Sequence, residues 1–402
     1  MRGLALEGGG AKGSFHIGAV KALYEMGIAF DGVSGTSVGA LNAAMIAAGD
    51  FDACCDLWDT LDTLNVFDFD DEIIHALTKA QITSKTVGYL TAKARKIFGE
   101  KGIDTTKLKG IIDAYIDEEK IRASKMDFAL VTVSLSDLRP MELHKEDIPK
   151  GEIGKYVMAS ASFPGFRTNP IGDKMFIDGG IYDNLPINTF IDCGYDEIFA
   201  VRTMCIGRVR KPKNAKNVKI TYIVPPEDLG SILIFDRAVI KKNIQMGYYE
   251  AKRAVLGYKG TLYYVDNLDE EAVFRGLCNL PSALTHKLAR HLNFRKKEGR
   301  RLLFEDILPL IATAFHMSAE ASYGDIMLAA MEYVANDLGM ERFRLYTFRE
   351  FARKIYKGCR GATISPLPAI VGTLFKENEI KALCPSILGA FCGSIIHESD
   401  DL

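Results

Sequence analysis

Three short patterns in this chain have the residue types and order needed for acyl transfer. Gly35-Thr36-Ser37-Val38-Gly39 fits G-x-S-x-G, in which a tight strand-to-helix turn exposes a serine hydroxyl and flanking glycines remove side chains that would collide there. Ser37 is therefore a candidate nucleophile, against the plainer reading that it only caps a helix beginning at Val38. About 25 residues upstream, the loop Gly8-Gly9-Gly10-Ala11-Lys12-Gly13 presents a run of backbone N–H groups, the donors that a developing oxyanion requires. The same loop satisfies Gly8-x-Gly10-x-x-Gly13, and Asp31 lies near the spacing of a ribose contact, so a dinucleotide-binding enzyme is the competing reading. That reading leaves unexplained why a serine elbow follows the second strand at once.

A serine nucleophile needs a base, which is usually histidine. None of the seven histidines sits in a turn motif suited to the task. His16 lies three residues past the glycine loop, where a packing or supporting role fits better. His75 falls in a charged helical stretch, and His144, His286, His291, His316 and His397 lie in polar or helical settings. Asp178-Gly179-Gly180 is different, because it follows the β-like Met175-Phe176-Ile177 and puts a carboxylate at a strand end beside glycines that permit close approach. A carboxylate within about 3 Å of a hydroxyl can act as the base directly. An ordinary Asp-Gly turn is the alternative.

These groups must be held by the elements around them. Leu4-Ala5-Leu6 is a short apolar run closed by glycines, as expected of a buried parallel strand, and Phe15, Ile17, Val20, Leu23 and Tyr24 then recur at helical spacing. Gly32-Val33-Ser34-Gly35 followed by the small and apolar residues 38–48 repeats the strand-turn-helix pattern. Residues 50–125 read as mostly helical. Further β-rich runs at 128–133, 198–201 and 220–224 complete an alternation that implies an α/β fold with a mainly parallel, doubly covered sheet. After about residue 230 the pattern turns mostly helical, with a β-like interruption at 261–265. We therefore expect a catalytic domain over 1–228 and a mostly helical region of unassigned role over 229–402.

Together the three patterns resemble those of the patatin-like phospholipases: a G-G-G-x-[R/K]-G oxyanion loop, a G-x-S-x-G elbow and a later D-G-[G/A]. Ala159-Ser160-Ala161-Ser162-Phe163-Pro164 and Asp183-Asn184-Leu185-Pro186 also look like the family, so the resemblance covers roughly residues 3–205. It implies a three-layer patatin-like fold and a lipid acyl hydrolase of phospholipase A or lysophospholipase type. Ser37 would be the nucleophile, Asp178 its base in a dyad without histidine, and Gly8, Gly9, Gly10, Ala11, Lys12 and Gly13 the oxyanion loop. Lys12 stands where many members carry arginine. No metal or organic cofactor is implied, and no D-x-[DN]-x-[DN]-G calcium loop is present. A lipid acyltransferase or a non-catalytic interaction module would share parts of this pattern.

Composition bounds the partners. With 50 basic and 52 acidic residues the formal net charge is -2, which gives no global field for nucleic acid. The eight cysteines form no C-x-x-C pair and no zinc-ligand spacing. The apolar start is too short for a signal-peptide core, so a cytoplasmic location is expected. The apolar stretches 364–375 and 384–396 are shorter than a membrane span and contain or adjoin prolines, so we expect no transmembrane helix. Arg290, Arg295, Lys296, Lys297, Arg300 and Arg301 lie among Leu292, Phe294, Leu302, Leu303 and Phe304, a cluster that reads either as a peripheral membrane contact or as a solvated helix face. The segments 367–375 and 387–396 fit core packing, or else an acyl pocket or lid. The oligomeric state is not encoded in any of these patterns.

Overall fold

The computed structural model describes residues 1–67, 102–167, 170–213, 216–292, 294, 299–360 and 377–397. His75, Arg295, Lys296, Lys297 and the apolar segment 367–375 lie outside these residues. The chain divides into two compact units, Met1–Val255 and Leu256–Leu402.

The first unit is built on a seven-stranded sheet whose main path runs β4-β3-β2-β1-β6-β7, with β5 paired to β3 off that path. Strands β1 (Arg2–Leu6), β2 (Gly32–Thr36), β3 (Asp127–Ser134), β6 (Glu197–Val201) and β7 (Lys219–Ile223) are parallel, whereas β4 (Arg139–His144) and β5 (Phe176–Asp178) run antiparallel to β3. This is the mainly parallel α/β architecture expected from the alternating pattern. Leu4, Ala5 and Leu6 are fully buried because β1 is paired on both edges. The sequence of β2, Gly-Val-Ser-Gly-Thr, has poor strand propensity. It is secured by partners instead: Ser34 Oγ donates to the Pro186 carbonyl at 3.0 Å and Thr36 Oγ1 to the Asp183 carbonyl at 2.8 Å. Those two hydroxyls tie the Asp183-Asn184-Leu185-Pro186 segment behind the elbow.

Helices α1 (Ser14–Glu25) and α2 (Val38–Ala47) follow β1 and β2, and nearly every residue of both is buried. The helix Arg237–Leu256 crosses α1 at very close range. A Cβ on Gly18 would run into the Ile244 carbonyl, and one on Gly247 into the Phe15 carbonyl. This reciprocal glycine contact makes residues 237–255 part of the first unit, so the compact division falls at 255/256 where the sequence pattern suggests 228/229.

The second unit packs the helices Glu270–Cys278, Ser282–His291, Leu308–Ala314, Tyr323–Asp337, Phe348–Cys359 and Glu377–His397 around one core. Caps written in the sequence start several of them: Asp269 accepts from the Ala272 N–H, Thr347 from the Glu350 N–H, and Ser322 with Asp325 forms a reciprocal capping box. The β-like run at 261–265 is explained by a small parallel pair, β8 (Tyr264–Asp266) with β9 (Leu345–Thr347). Among the described residues, one helix, Glu377–Ile396, is long and apolar enough to cross a membrane, where the sequence pattern suggests none. The difference arises because Pro385 lies inside that helix and does not end it. Ile380, Leu383, Cys384, Ile387, Leu388, Phe391, Cys392 and Ile395 bury one side of it in the core of the second unit, as in a core helix of a globular protein. In the basic stretch, Leu292, Leu302 and Leu303 are core residues and Arg301 pairs with Glu305 at 3.0 Å.

Candidate active site

The register of β3 brings the elbow and Asp178 together. The first five residues of β3, Asp127 to Val131, pair in parallel with β2, ending at Thr36 opposite Val131. The last three residues pair on the same edge with β5, beginning with Thr132 opposite Asp178. Because β5 is antiparallel to β3, the carboxyl ends of β2 and β5 meet head to head, and the next residue after Thr36 faces Asp178. The Asp178 carboxylate accepts a hydrogen bond from the Gly180 N–H at 2.8 Å and has the Ser37 hydroxyl beside it. Burial raises its pKa to about 6, although both the Gly180 N–H and the Ser37 hydroxyl favour the ionised form.

Ser37 itself is held in a costly conformation, with φ 58° and ψ -127°, a backbone region uncommon for a residue with a side chain. A Cβ at Gly35 would strike the Gly39 carbonyl, and one at Gly39 would strike the Leu6 carbonyl, so both glycines of the pentapeptide are required by close approach. A group missed in the sequence holds the turn: the Ser37 N–H donates to Ser160 Oγ at 2.9 Å, and Ser160 in turn donates to the Val131 carbonyl at 2.7 Å. Ser160 is fully buried, so these are its two uses. Its only trace in the sequence is its place in the Ala159-to-Pro164 stretch.

The glycine loop begins at the carboxyl end of β1. Gly8 is locked on both sides: its N–H donates to the Asn184 carbonyl at 3.0 Å, and its carbonyl accepts from Thr203 Oγ1 at 2.6 Å and from Asn184 Nδ2 at 3.4 Å. The Ala11 N–H is taken by the Ile232 carbonyl at 3.0 Å, and the Lys12 N–H by the Gly9 carbonyl at 3.2 Å. Gly10 has φ 55°, where a Cβ would also strike the Ile232 carbonyl. Of the six loop residues, Gly9 and Gly10 line the cavity with Ser37, and among the described residues neither N–H has an internal partner. Lys12 turns its ammonium to Asp228 at 2.7 Å. Below the loop, Glu7 is fully buried and accepts from Arg202 at 3.0 and 3.2 Å and from the Thr203 and Met204 N–H groups at 2.7 and 3.0 Å. It joins the carboxyl ends of β1 and β6.

The cavity in front of Ser37 has a volume of about 530 Å³. Trp58, Leu61, Phe67, Ile112, Phe166 and Phe235 form much of its wall, while Asp178 is its one carboxylate and Arg208 its one cation among the described lining residues. An apolar slot with a serine hydroxyl, a buried carboxylate and two open N–H groups at one end has the shape and chemistry to take an acyl chain with its ester at that end.

No histidine joins this group among the described residues. His144 pairs with Asp127 at 2.9 Å, at the amino end of β3 and so at the opposite end of the parallel strands from Ser37. His16 is fully buried, accepts at Nδ1 from Asn42 Nδ2 at 3.2 Å, and is driven by burial to a pKa of about 3, so it is neutral. Asn42 carries the rest of that support, donating to the Gly13 carbonyl at 3.2 Å and accepting from Trp58 Nε1 at 2.9 Å, which binds α2 to the glycine loop. Asp31 precedes β2 and accepts from the Arg2 N–H at 2.6 Å. A ribose-reading carboxylate has to stand at the carboxyl end of that strand, where Ser37 is, so the geometry does not suit a dinucleotide site.

Residues 4–191 match the family model described as patatin-like phospholipase. A lysophospholipase nte1 of Aspergillus fumigatus is 32% identical over 204 residues, which are 50% of this chain and 12% of that protein. A lysophospholipase NTE1 of Coccidioides immitis is 31% identical over 204 residues, again 50% of this chain and 11% of that protein. The match thus spans a small part of these much longer relatives. VipD from Legionella pneumophila superposes with a TM-score of 0.40 at 15% identity, over 89% of this chain and 84% of that one, too loose a match to bear on fold or function. Over residues 4–191, just under half of its length, this chain is similar to the patatin-like phospholipase family.

Proposed function

We propose that the first unit hydrolyses carboxylic esters of lipids, with Ser37 as nucleophile and Asp178 as base. The observation that carries this reading is the meeting of β2 and β5, which sets the Ser37 hydroxyl against a buried carboxylate at the end of an apolar cavity. Asp178 takes the hydroxyl proton as Ser37 Oγ attacks the ester carbonyl, and the oxyanion that forms is stabilised by the Gly9 and Gly10 N–H groups. On collapse, the alcohol leaves with the proton from Asp178, and the acyl group remains on Ser37. Water then gives a proton to Asp178 and attacks the acyl carbonyl, and the proton returns to Ser37 Oγ as the fatty acid departs.

Transfer of the acyl group to a lipid alcohol would use the same acyl-enzyme. Incubating the purified protein with a lysophospholipid and an alcohol acceptor separates the outcomes: free fatty acid made by wild type and not by Ser37→Ala is expected, and an acylated acceptor as the main product would redirect the reading to transfer. Absence of both products would overturn it.

A further inference from the structure

Arg208 differs from four neighbouring cations in having no carboxylate partner among the described residues. Arg202 is spent on Glu7, Lys12 on Asp228, Arg210 on Glu142 while lying over the Tyr182 ring, and Lys174 on Asp137. Arg208 lines the cavity, is exposed, and has no carboxylate partner among the described residues. Its backbone, in contrast, is fixed against the catalytic segment: the Arg208 N–H donates to the Gly180 carbonyl at 2.8 Å, and the Arg208 carbonyl accepts from the Asn184 N–H at 2.6 Å. Gly180 is the residue whose own N–H holds the Asp178 carboxylate. An exposed guanidinium without a carboxylate partner among the described residues is thus anchored on the segment that carries Asp178, at a cavity whose one other charged group among the described lining residues is Asp178 itself.

We infer that Arg208 selects ester substrates that carry a phosphate group on the alcohol side, by binding that phosphate as the acyl chain enters the apolar slot. A guanidinium offers two parallel N–H donors to a phosphate, and an exposed arginine without a carboxylate partner has no competing ion pair to break. The acyl wall recognises a chain and is indifferent to the headgroup, so headgroup preference has to come from the polar end, where Arg208 is the cation available. The inference rests on the proposed ester hydrolysis and deepens it by naming the residue that sets headgroup preference.

The test compares a lysophospholipid with a monoacylglycerol of the same chain, both in the same detergent micelles, using wild type, Arg208→Gln and Arg208→Lys. For Arg208→Gln we expect kcat/KM on the lysophospholipid to fall about 10- to 100-fold, the size of a lost charge-assisted contact, with the monoacylglycerol rate within about twofold of wild type. Arg208→Lys restores part of the loss, since it keeps the charge and loses the paired donors. Labelling of Ser37 by a fluorophosphonate at the wild-type rate shows that the variant site is intact. Equal losses on both substrates, or no loss on either, would overturn the role of Arg208, whereas a wild type that cleaves neither substrate would overturn the hydrolase reading itself.

Discussion

Two of the buried carboxylates, Asp178 in the first unit and Glu332 in the second, are held in opposite ways. In the second unit Glu332 is nearly inaccessible, and its Oε1 accepts from three consecutive N–H groups, those of Thr261, Leu262 and Tyr263, at 2.7, 2.9 and 2.8 Å. These donors fasten the chain leading into β8 to the helix Tyr323–Asp337. In the first unit Asp178 is just as buried, but its donor is a single backbone N–H, that of Gly180, with the Ser37 hydroxyl beside it, and its pKa is raised to about 6 by desolvation. A carboxylate surrounded by fixed backbone donors is a strut, because protonating it would orphan them. A carboxylate left short of donors beside a hydroxyl is ready to take a proton.

The largest effects should fall on the first of these sites alone. Ser37→Ala and Asp178→Asn should each lower ester turnover by at least about ten-thousandfold, measured as fatty acid released. Asp178→Asn should at the same time raise the melting temperature, because it removes a charge that burial disfavours. The sign follows from the raised pKa: the folded state holds the Asp178 proton longer than the unfolded chain, so stability falls as pH rises from about 4 to about 6, and the full cost is present above that. Glu332→Gln should do the reverse, costing about 1–3 kcal/mol in denaturant unfolding while the turnover of folded protein stays within about twofold. If Glu332→Gln abolished turnover without loss of stability, the contrast between base and strut would break.

Ser160→Ala should lower kcat about 10- to 100-fold with little change in KM, since the Ser37 N–H loses the partner that holds a strained turn. Turnover should disappear as pH falls through about 6, where Asp178 takes up a proton and ceases to be a base. The smallest effect is expected of His144→Ala. The Asp127 carboxylate raises the His144 pKa, so the pair adds stability at low pH that is lost as pH rises through that raised value, and for a partly exposed pair it amounts to about 1 kcal/mol or less. Turnover should be unchanged.

The same contrast explains what was legible in the sequence. Strand, glycine loop and helix at the start, the elbow after β2, and Asp178 at a strand end all follow from local patterns, because a tight turn, a close backbone approach and a buried parallel strand each demand particular residues in a few adjacent positions. What those patterns do not carry is pairing between distant segments. That β5 continues the edge of β3 where β2 stops depends on register, and three residues of apolar alternation do not encode it. Ser160 and Asn42 act through side-chain hydrogen bonds to residues 16 to 123 positions away and look like ordinary helix residues locally. The narrowing of the proposed oxyanion donors from six residues to Gly9 and Gly10 likewise comes from the partners that occupy other N–H groups of the loop, and the extent of the first unit from the crossing of Gly18 with Gly247. In the second unit the caps were readable, whereas the partner of β8 lies some 80 residues along the chain.

The central claim is that Asp178, without a histidine, activates Ser37 for acylation. The most direct measurement is the rate at which a long-chain fluorophosphonate adds its mass to the intact protein at pH 8, with the site located by peptide mapping, for wild type, Ser37→Ala, Asp178→Asn and His144→Ala. The account requires one adduct on Ser37 in wild type and at an equal rate in His144→Ala, none in Ser37→Ala, and a rate lowered by orders of magnitude in Asp178→Asn. Adduct formation at the wild-type rate in Asp178→Asn, or its loss in His144→Ala, would contradict it.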